Sequence, residues 1–438
     1  MRVGVGLLLF GLAAWVRLCG LDSAEVLGDG IGPWWAALEG PPWLVPHAPP
    51  FGWMLYLPYA AILTLAGSVR QAVAGMLLLH ALAAPLAAWI AWRLRPAGAA
   101  GAALAGLVVA VSPGLLDVAL SGAQVHLAPV WIGLLALAVT GTPRPVLAGA
   151  AVAGAAMSHP LAFCALPLML LLPWSRATLA GVGLGVLLLV PHLIGVLTRP
   201  LPETGITGAT VWGAVSALSS LEGGLAVVGI VAGLSSPRTR RLSGATLAGL
   251  CLLLGAGAAL AYLQPYHLLL LSLPALAGLA ALPLPGLLLA LLLEVPLRPV
   301  PVDGSLVILE ALTEAILETE RRPVMVDHAW LSALPVAEPA AVMLDLSLRG
   351  VAADDLRPGG VVALIVSAEP QDLRGLPAGP ALSQRGRLIV GPPEVLSAAL
   401  APWCGRARAL GGAWDGLIRL KPDIRLEDVT DWWQCEDR

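Results

Sequence analysis

Apolar runs fill the first two-thirds of the chain, and a few arginines mark where they stop. A bilayer core about 30 Å thick takes roughly 20 apolar residues per helical pass, so each such run is a candidate pass. Residues 3–19 form the first. From Leu18 to Val69 there is no Lys or Arg, while Asp22, Glu25, Asp29 and Glu39 all occur; by the positive-inside rule residues 20–70 are an external loop. Residues 71–92 return to Arg93 and Arg95, 97–113 lead out, and 124–141 come back to Arg144. The stretch between Arg144 and Arg176 is broken at Ser158-His159-Pro160 and reads as two short passes meeting outside. Residues 177–198 exit to a loop holding Arg199 and Glu203, 211–234 return to Arg238, Arg240 and Arg241, and 243–262 exit again. The last run, 266–297, is interrupted at Pro283 and Pro285 and holds two more short passes. The sum is about 11 passes, with the N-terminus cytoplasmic and everything beyond Arg298 external. Phe51–Gly67 fits as an interfacial helix among Trp34, Trp35, Trp43 and Trp53, because a full pass there would place Arg93 and Arg95 outside.

Past residue 298 the pattern changes. Residues 1–298 carry eight carboxylates and twelve arginines, whereas 299–438 carry twenty carboxylates, twelve arginines and the only lysine, Lys421. Ser305–Glu320 reads as an amphipathic helix, Pro323–Asp327, Ala341–Leu346 and Val361–Ser367 as short buried strands, and Pro393–Leu400 as a helix. Alternating elements of this kind indicate a small α/β layer. The expected fold class is therefore a polytopic α-helical membrane protein, residues 1–298, followed by a C-terminal α/β soluble domain, 299–438, on the external side. The turn Leu356-Arg357-Pro358-Gly359-Gly360 before a strand is of a kind seen in methyltransferases, but no glycine-rich phosphate loop precedes it, and a structural or docking role is expected of this domain.

Composition agrees with a bilayer. The chain is 58% hydrophobic and 12% charged, with a mean hydropathy of +0.84; soluble domains carry about 25% charged residues. The net charge is −3 and no basic stripe occurs, which excludes a nucleic-acid partner. Arginine almost wholly replaces lysine, as GC-rich bacterial coding would produce, and the expected location is the bacterial inner membrane. Met1-Arg2 and the apolar run to Trp15 resemble a signal sequence without a small-x-small cleavage site, so an uncleaved first helix is expected. Cys19, Cys164 and Cys251 read as small apolar membrane residues; Cys404 and Cys435 could pair only in an oxidising compartment. His47, His126, His159 and His267 all fall on the outer side but share no close ligand spacing, so no metal site and no divalent cation are expected. His80, mid-helix, reads as a packing or interhelical hydrogen-bonding residue.

The external carboxylates cluster in Leu21–Gly30, within a loop rich in Trp and Pro that is too apolar for an idle linker. An ordered series runs around it: Trp15-Val16-Arg17-Leu18 ending the first helix, Asp29, then Trp34-Trp35-Ala36 and Glu39-Gly40. Pro46-His47-Ala48-Pro49-Pro50-Phe51 follows, then Ser68-Val69-Arg70, a helix ending Arg93-Leu94-Arg95, and an apolar run from Val108 to Pro113. Gly154–Pro160, Tyr266-His267 and Leu273-Pro274 complete it. This series resembles the GT-C class of polyprenyl-phosphate-sugar-dependent glycosyltransferases, near the protein O-mannosyltransferases and the lipid A aminoarabinose transferases, over most of residues 1–285.

The resemblance implies that Asp29 matches the catalytic carboxylate, which takes the acceptor's proton as the bond to the anomeric carbon forms and the polyprenyl phosphate leaves. Glu25 and Asp22 would support it, and Asp117 or His126 would stand where that class has its second acidic or Arg-Tyr element. A phosphate leaving group needs cationic contacts more than acid assistance; Arg17, Arg70 and Arg199 are the candidates, with His47, Tyr266 and His267 beside them. The implied partners are a polyprenyl-phosphate-linked sugar and the bilayer. The chain departs from the class in having Asp29-Gly30 for its usual Asp-Glu, and in offering Gln124 and His126 near the third external turn. Two other readings are a transporter, which would place ionisable groups near the midplane, and a non-catalytic membrane assembly protein.

Overall fold

The computed structural model describes residues 2–24, 26, 32–39, 53–94, 98–121, 124–197, 221–259, 265–283, 286, 288, 290–291, 305–327, 337–351, 357–365, 383–385, 388–391 and 417–418. Within these the chain is mainly helical, with one small sheet. The helices are α1 (Arg2–Cys19), α2 (Gly32–Glu39), α3 (Trp53–Leu63), α4 (Val69–Ala81), α5 (Ala83–Leu94), α6 (Gly98–Val111), α7 (Pro113–Leu120), α8 (Ala128–Val139), α9 (Pro145–Ser158), α10 (Leu166–Met169), α11 (Arg176–Leu197), α12 (Leu221–Ser235), α13 (Arg240–Ala259), α14 (Ser272–Ala277), α15 (Ser305–Thr319) and α16 (Ala337–Leu348). The strands are β1 (Arg321–Asp327), β2 (Arg357–Ile365), β3 (Ser383–Arg385), β4 (Leu388–Gly391) and β5 (Leu417–Ile418). Tight 3₁₀ turns occupy Leu21–Ser23, Gln124–Leu127, Pro160–Ala165, Pro265–Leu271 and Gly278–Ala281. The chain divides into two compact units, one of residues 1–20, 36–62 and 74–300, the other of 21–35, 63–73 and 301–438.

The first unit is apolar throughout, and proline sets where its helices stop. A proline lacks the N–H that a helix interior needs but is pre-set for the first turn. Pro113 accordingly ends α6 and opens α7, Ser112 caps the new helix by accepting from the Leu115 N–H, and the pair is bent by 45°. Pro129, Pro145 and Pro160 open the next segments in the same way. These breaks shorten the helices below what the apolar runs alone imply. Among the described residues two helical stretches are long and apolar enough to cross a membrane, Val69–Leu94 (26 residues) and Arg176–Leu193 (18 residues), and a third if α6 and α7 count as one. Seven further apolar helices of 10–17 residues accompany them.

Small residues let these helices approach closely, as helices do in lipid. A Cβ placed on Gly149 of α9 would fall on the Gly181 carbonyl of α11, and one on Gly181 would fall on the Pro145 carbonyl. Gly149→Val is expected to cost at least about 3 kcal/mol, since the obstacle is backbone and cannot rotate away; a drop in the midpoint of thermal aggregation of the detergent-purified protein reads it. The other face of α11 exposes Leu179, Val182, Val186, Leu187, Val190 and Leu193. At one end of the bundle the Arg93 guanidinium donates to the Leu137 and Thr140 carbonyls, joining the C-terminus of α5 to that of α8. Pro145 and Gly181 meet near the beginnings of α9 and α11. Arg93, Arg144 and Arg176 thus belong to helix ends that pair with one another.

In the second unit β1 and β2 are parallel and joined through α16, β4 and β3 add antiparallel strands beyond β2, and β5 flanks β1, giving the order β3-β4-β2-β1-β5. The expected helix at Ser305–Glu320 and the strands at Pro323–Asp327 and Val361–Ser367 coincide with α15, β1 and β2; residues 366 and 367 lie outside the described residues, as does Pro393–Leu400. Ala341–Leu346, expected as a strand, is instead the middle of α16. A short apolar run does not separate buried strand from buried helix. Here Ala, Met and Leu favour helix, Pro339 sits near its start, and Asp345 accepts from Arg349 one turn later.

Candidate functional site

The first unit buries a polar cluster around Arg17, next to the last turn of α1. Its side chain is 0% exposed. The Nε–H donates to His80 Nδ1 at 3.0 Å, and Nη1 donates to the Ala13 carbonyl at 3.1 Å and the Ala110 carbonyl at 3.2 Å. An imidazole that accepts at Nδ1 from a guanidinium is neutral, with its hydrogen on Nε2. Every partner of Arg17 among the described residues is therefore uncharged. Two donors in the cluster have no partner among those residues: Arg17 Nη2 and His80 Nε2.

The same unit buries a second polar pair. His126, in the 3₁₀ turn before α8, is buried and hydrogen-bonds the Tyr59 hydroxyl of α3 through Nε2 at 3.1 Å, the two rings meeting edge-on at 5.7 Å. Tyr56 is buried one helical turn earlier in α3. Arg17, His80, His126 and Tyr59 come from four separate segments, and all four side chains are withdrawn from the surface.

Helix length gives the distance of each group from its own helix end. At 1.5 Å per residue, Arg17 is about 22 Å along α1 from Arg2, and His80 about 20 Å from Arg93. Ala110 is about 18 Å from the start of α6, and His126 about 21 Å from Thr140. His159, about 21 Å from Pro145 by the same measure, is buried and packs against His267 with ring centroids 4.8 Å apart. Its Nδ1 accepts from the Leu161 N–H, capping the turn that follows.

The residues singled out from sequence distribute as follows. Arg17, a candidate contact to the donor's phosphate, is wholly buried, because His80 and two carbonyls receive it inside the bundle. His126 is buried with the Tyr59 hydroxyl as its partner. His267 is buried beside His159; of Tyr266 only its place in the Pro265–Leu271 turn is described. Asp117 lies on α7 with its side chain exposed. In the second unit Arg70 is engaged by two carboxylates, Asp22 and Glu310. Asp29, Glu25, His47 and Arg199 lie outside the described residues, as do Gly30, Cys404 and Cys435. Among the described residues no three His, Cys, Asp or Glu side chains gather as metal ligands would.

Two members of the cluster were not among the sequence candidates for the site. His80 stood as an interhelical hydrogen-bonding residue, a role it fills with Arg17 as partner. Tyr59 gave only a faint signal, being one of just four tyrosines in the chain. Comparison with protein-family models, with curated proteins and with solved structures finds no match to this chain.

Proposed function

We propose that this chain is a multi-pass membrane glycosyltransferase that moves a sugar from a polyprenyl-phosphate donor to an acceptor on the external face, with the Arg17 cluster receiving the donor's phosphate. One observation carries the reading: Arg17 is a fully buried cation whose partners among the described residues are all neutral, beside two open donors. A buried charge is costly unless it is paired, and an ionisable group within a membrane bundle marks a ligand or ion path by default. A phosphate supplies the missing negative charge and acceptor oxygens, and arginine matches its geometry through paired N–H groups.

The bundle's shape fits a lipid-linked donor. With about 11 passes and the Arg93, Arg144 and Arg176 ends cytoplasmic, the cluster falls about 20 Å up a core about 30 Å thick, in its outer third. Trp15 and Trp174 are exposed, as aromatics at membrane interfaces are. The resemblance to the GT-C class supplies Asp29 as the carboxylate that takes the acceptor's proton, with Glu25 near it in sequence. In the step so assigned the acceptor oxygen or nitrogen bonds to the anomeric carbon, its proton passes to Asp29, and the bond to the phosphate oxygen breaks toward Arg17. A single displacement of this kind inverts the anomeric centre.

Purified protein incubated with a panel of polyprenyl-phosphate sugars, together with a bacterial envelope lipid and glycan extract as acceptor, is expected to release polyprenyl phosphate, and Asp29→Asn is expected to slow release by at least about 100-fold, the scale of a lost general base. Equal turnover by the variant removes Asp29 from its role, and no release from any donor removes the transferase reading. A second reading draws on the same cluster. Arg17, His80, His126, His159 and His267 are buried ionisable groups of the kind that transporters use. Release of polyprenyl phosphate without any movement of solute into proteoliposomes separates the two.

A further inference from the structure

Residues 21–35 and 63–73 share one folding unit with the C-terminal domain, and the contacts that join them are specific. Arg70 donates through Nη2 to Asp22 Oδ1, and through Nη1 to Glu310 Oε2 at 2.6 Å. Asp22 begins the loop, Arg70 ends it, and Glu310 lies on α15. The Leu306 N–H donates to the Ala24 carbonyl at 3.3 Å, so the start of α15 is tied to the backbone of the loop. Asp345 of α16 is 0% exposed and accepts from the Val69 N–H at 2.7 Å, capping the start of α4, the helix that carries Arg70. Ala24, Val26 and Trp34 are buried in this unit together with Leu306, Leu309, Ile316, Val342 and Leu344.

We infer that the C-terminal domain is completed by residues 21–35 and 63–73, with Arg70 as a two-carboxylate pin, so that it folds as a clamp on both flanks of residues 36–62. Surface ion pairs singly contribute little, but here one guanidinium joins three segments, and a buried carboxylate and a backbone bond stand beside it. The clamped stretch 36–62 carries Tyr56 and Tyr59. A second consequence concerns topology: a domain built partly from the first loop must lie on that loop's side of the membrane, whichever side that is. This inference does not rest on the transferase reading.

The test uses the full chain in membranes, with the five native cysteines replaced by Ser and with Ser23→Cys and Ser305→Cys introduced, which leaves the Arg70 pin intact. These positions adjoin the Ala24–Leu306 backbone bond, so a short bifunctional thiol reagent is expected to join the pair within one chain, read as a gel shift that a protease cut between them does not separate. An inserted chain that stays unlinked overturns the clamp. Limited proteolysis gives a second reading that needs no cysteines. Arg70→Glu is expected to speed cleavage of the C-terminal domain by at least about fivefold, and adding Glu310→Arg to restore much of the protection. Identical cleavage of wild type and Arg70→Glu overturns the proposal, and so does failure of the exchange to restore any protection.

Discussion

Replacing Arg17 with Met is expected to remove polyprenyl-phosphate binding while leaving the bundle folded. The two effects separate because of what Arg17 touches. Its partners are His80 Nδ1 and two carbonyls, all neutral, so its removal strands no opposite charge. Substituting a buried charge by an apolar side chain of similar length is often neutral or stabilising. The three lost bonds to His80 and the carbonyls cost about 1.5–3 kcal/mol each, and relief from burying an unpaired guanidinium offsets them. Binding changes in the other direction. A charge-assisted hydrogen bond contributes about 1.5–3 kcal/mol, so losing two of them lowers affinity by at least about 100-fold. Thermal melting and lipid binding measured on one preparation check this. A variant that binds as before shows that Arg17 is not the phosphate site, and a variant that fails to fold shows it to be a structural staple. Arg17→Lys is expected to recover only part of the affinity, because an ammonium cannot present the same paired donors.

Asp345→Ala is expected to be the most destabilising single change in the C-terminal unit. The carboxylate is completely buried and holds both the Val69 N–H, at 2.7 Å, and Arg349 Nε, at 3.1 Å. Alanine leaves a helix N-terminal amide and a partly buried guanidinium without their acceptor, and leaves a cavity. Losing one partner of a buried pair costs about 3–5 kcal/mol. Arg349 keeps some solvent contact, its side chain 25% exposed, which puts the expected loss near the lower end, about 3 kcal/mol. Asp345→Asn retains an acceptor oxygen and is expected to lose about half as much. Equal protease resistance of the C-terminal segment in wild type and Asp345→Ala, measured on the whole chain in membranes, would contradict the clamp geometry as well.

Some of this architecture is legible in the residues and some is not. Helix beginnings at Pro113, Pro145 and Pro160 follow from what proline can and cannot do in a helix, and β1 and β2 follow from short β-branched runs ending at charged or turn residues. Ala341–Leu346 misreads because burial on both faces erases the periodicity that separates strand from helix. Arg17 stands out as an arginine at the end of an apolar helix and a candidate phosphate contact, but sequence alone does not show that it is buried. What draws it inward is His80, sixty-three positions along the chain, with the carbonyl of Ala110. Pairings at that separation carry no local pattern. Arg70 has the same residue type and the same neighbourhood as a phosphate-binding arginine, yet Asp22 and Glu310 hold it. Charge alone does not tell a ligand-binding arginine from a paired one; the identity of its partners does.

The most direct test of the central claim compares polyprenyl monophosphate with the corresponding polyprenol as ligands of the full-length protein in nanodiscs. The two lipids share the chain and differ only in the phosphate. If the Arg17 cluster receives that phosphate, the monophosphate binds at least about 100-fold tighter than the alcohol, and the difference collapses in Arg17→Met. Equal affinity for the two lipids in the wild-type protein, or a preference that survives Arg17→Met, contradicts the account.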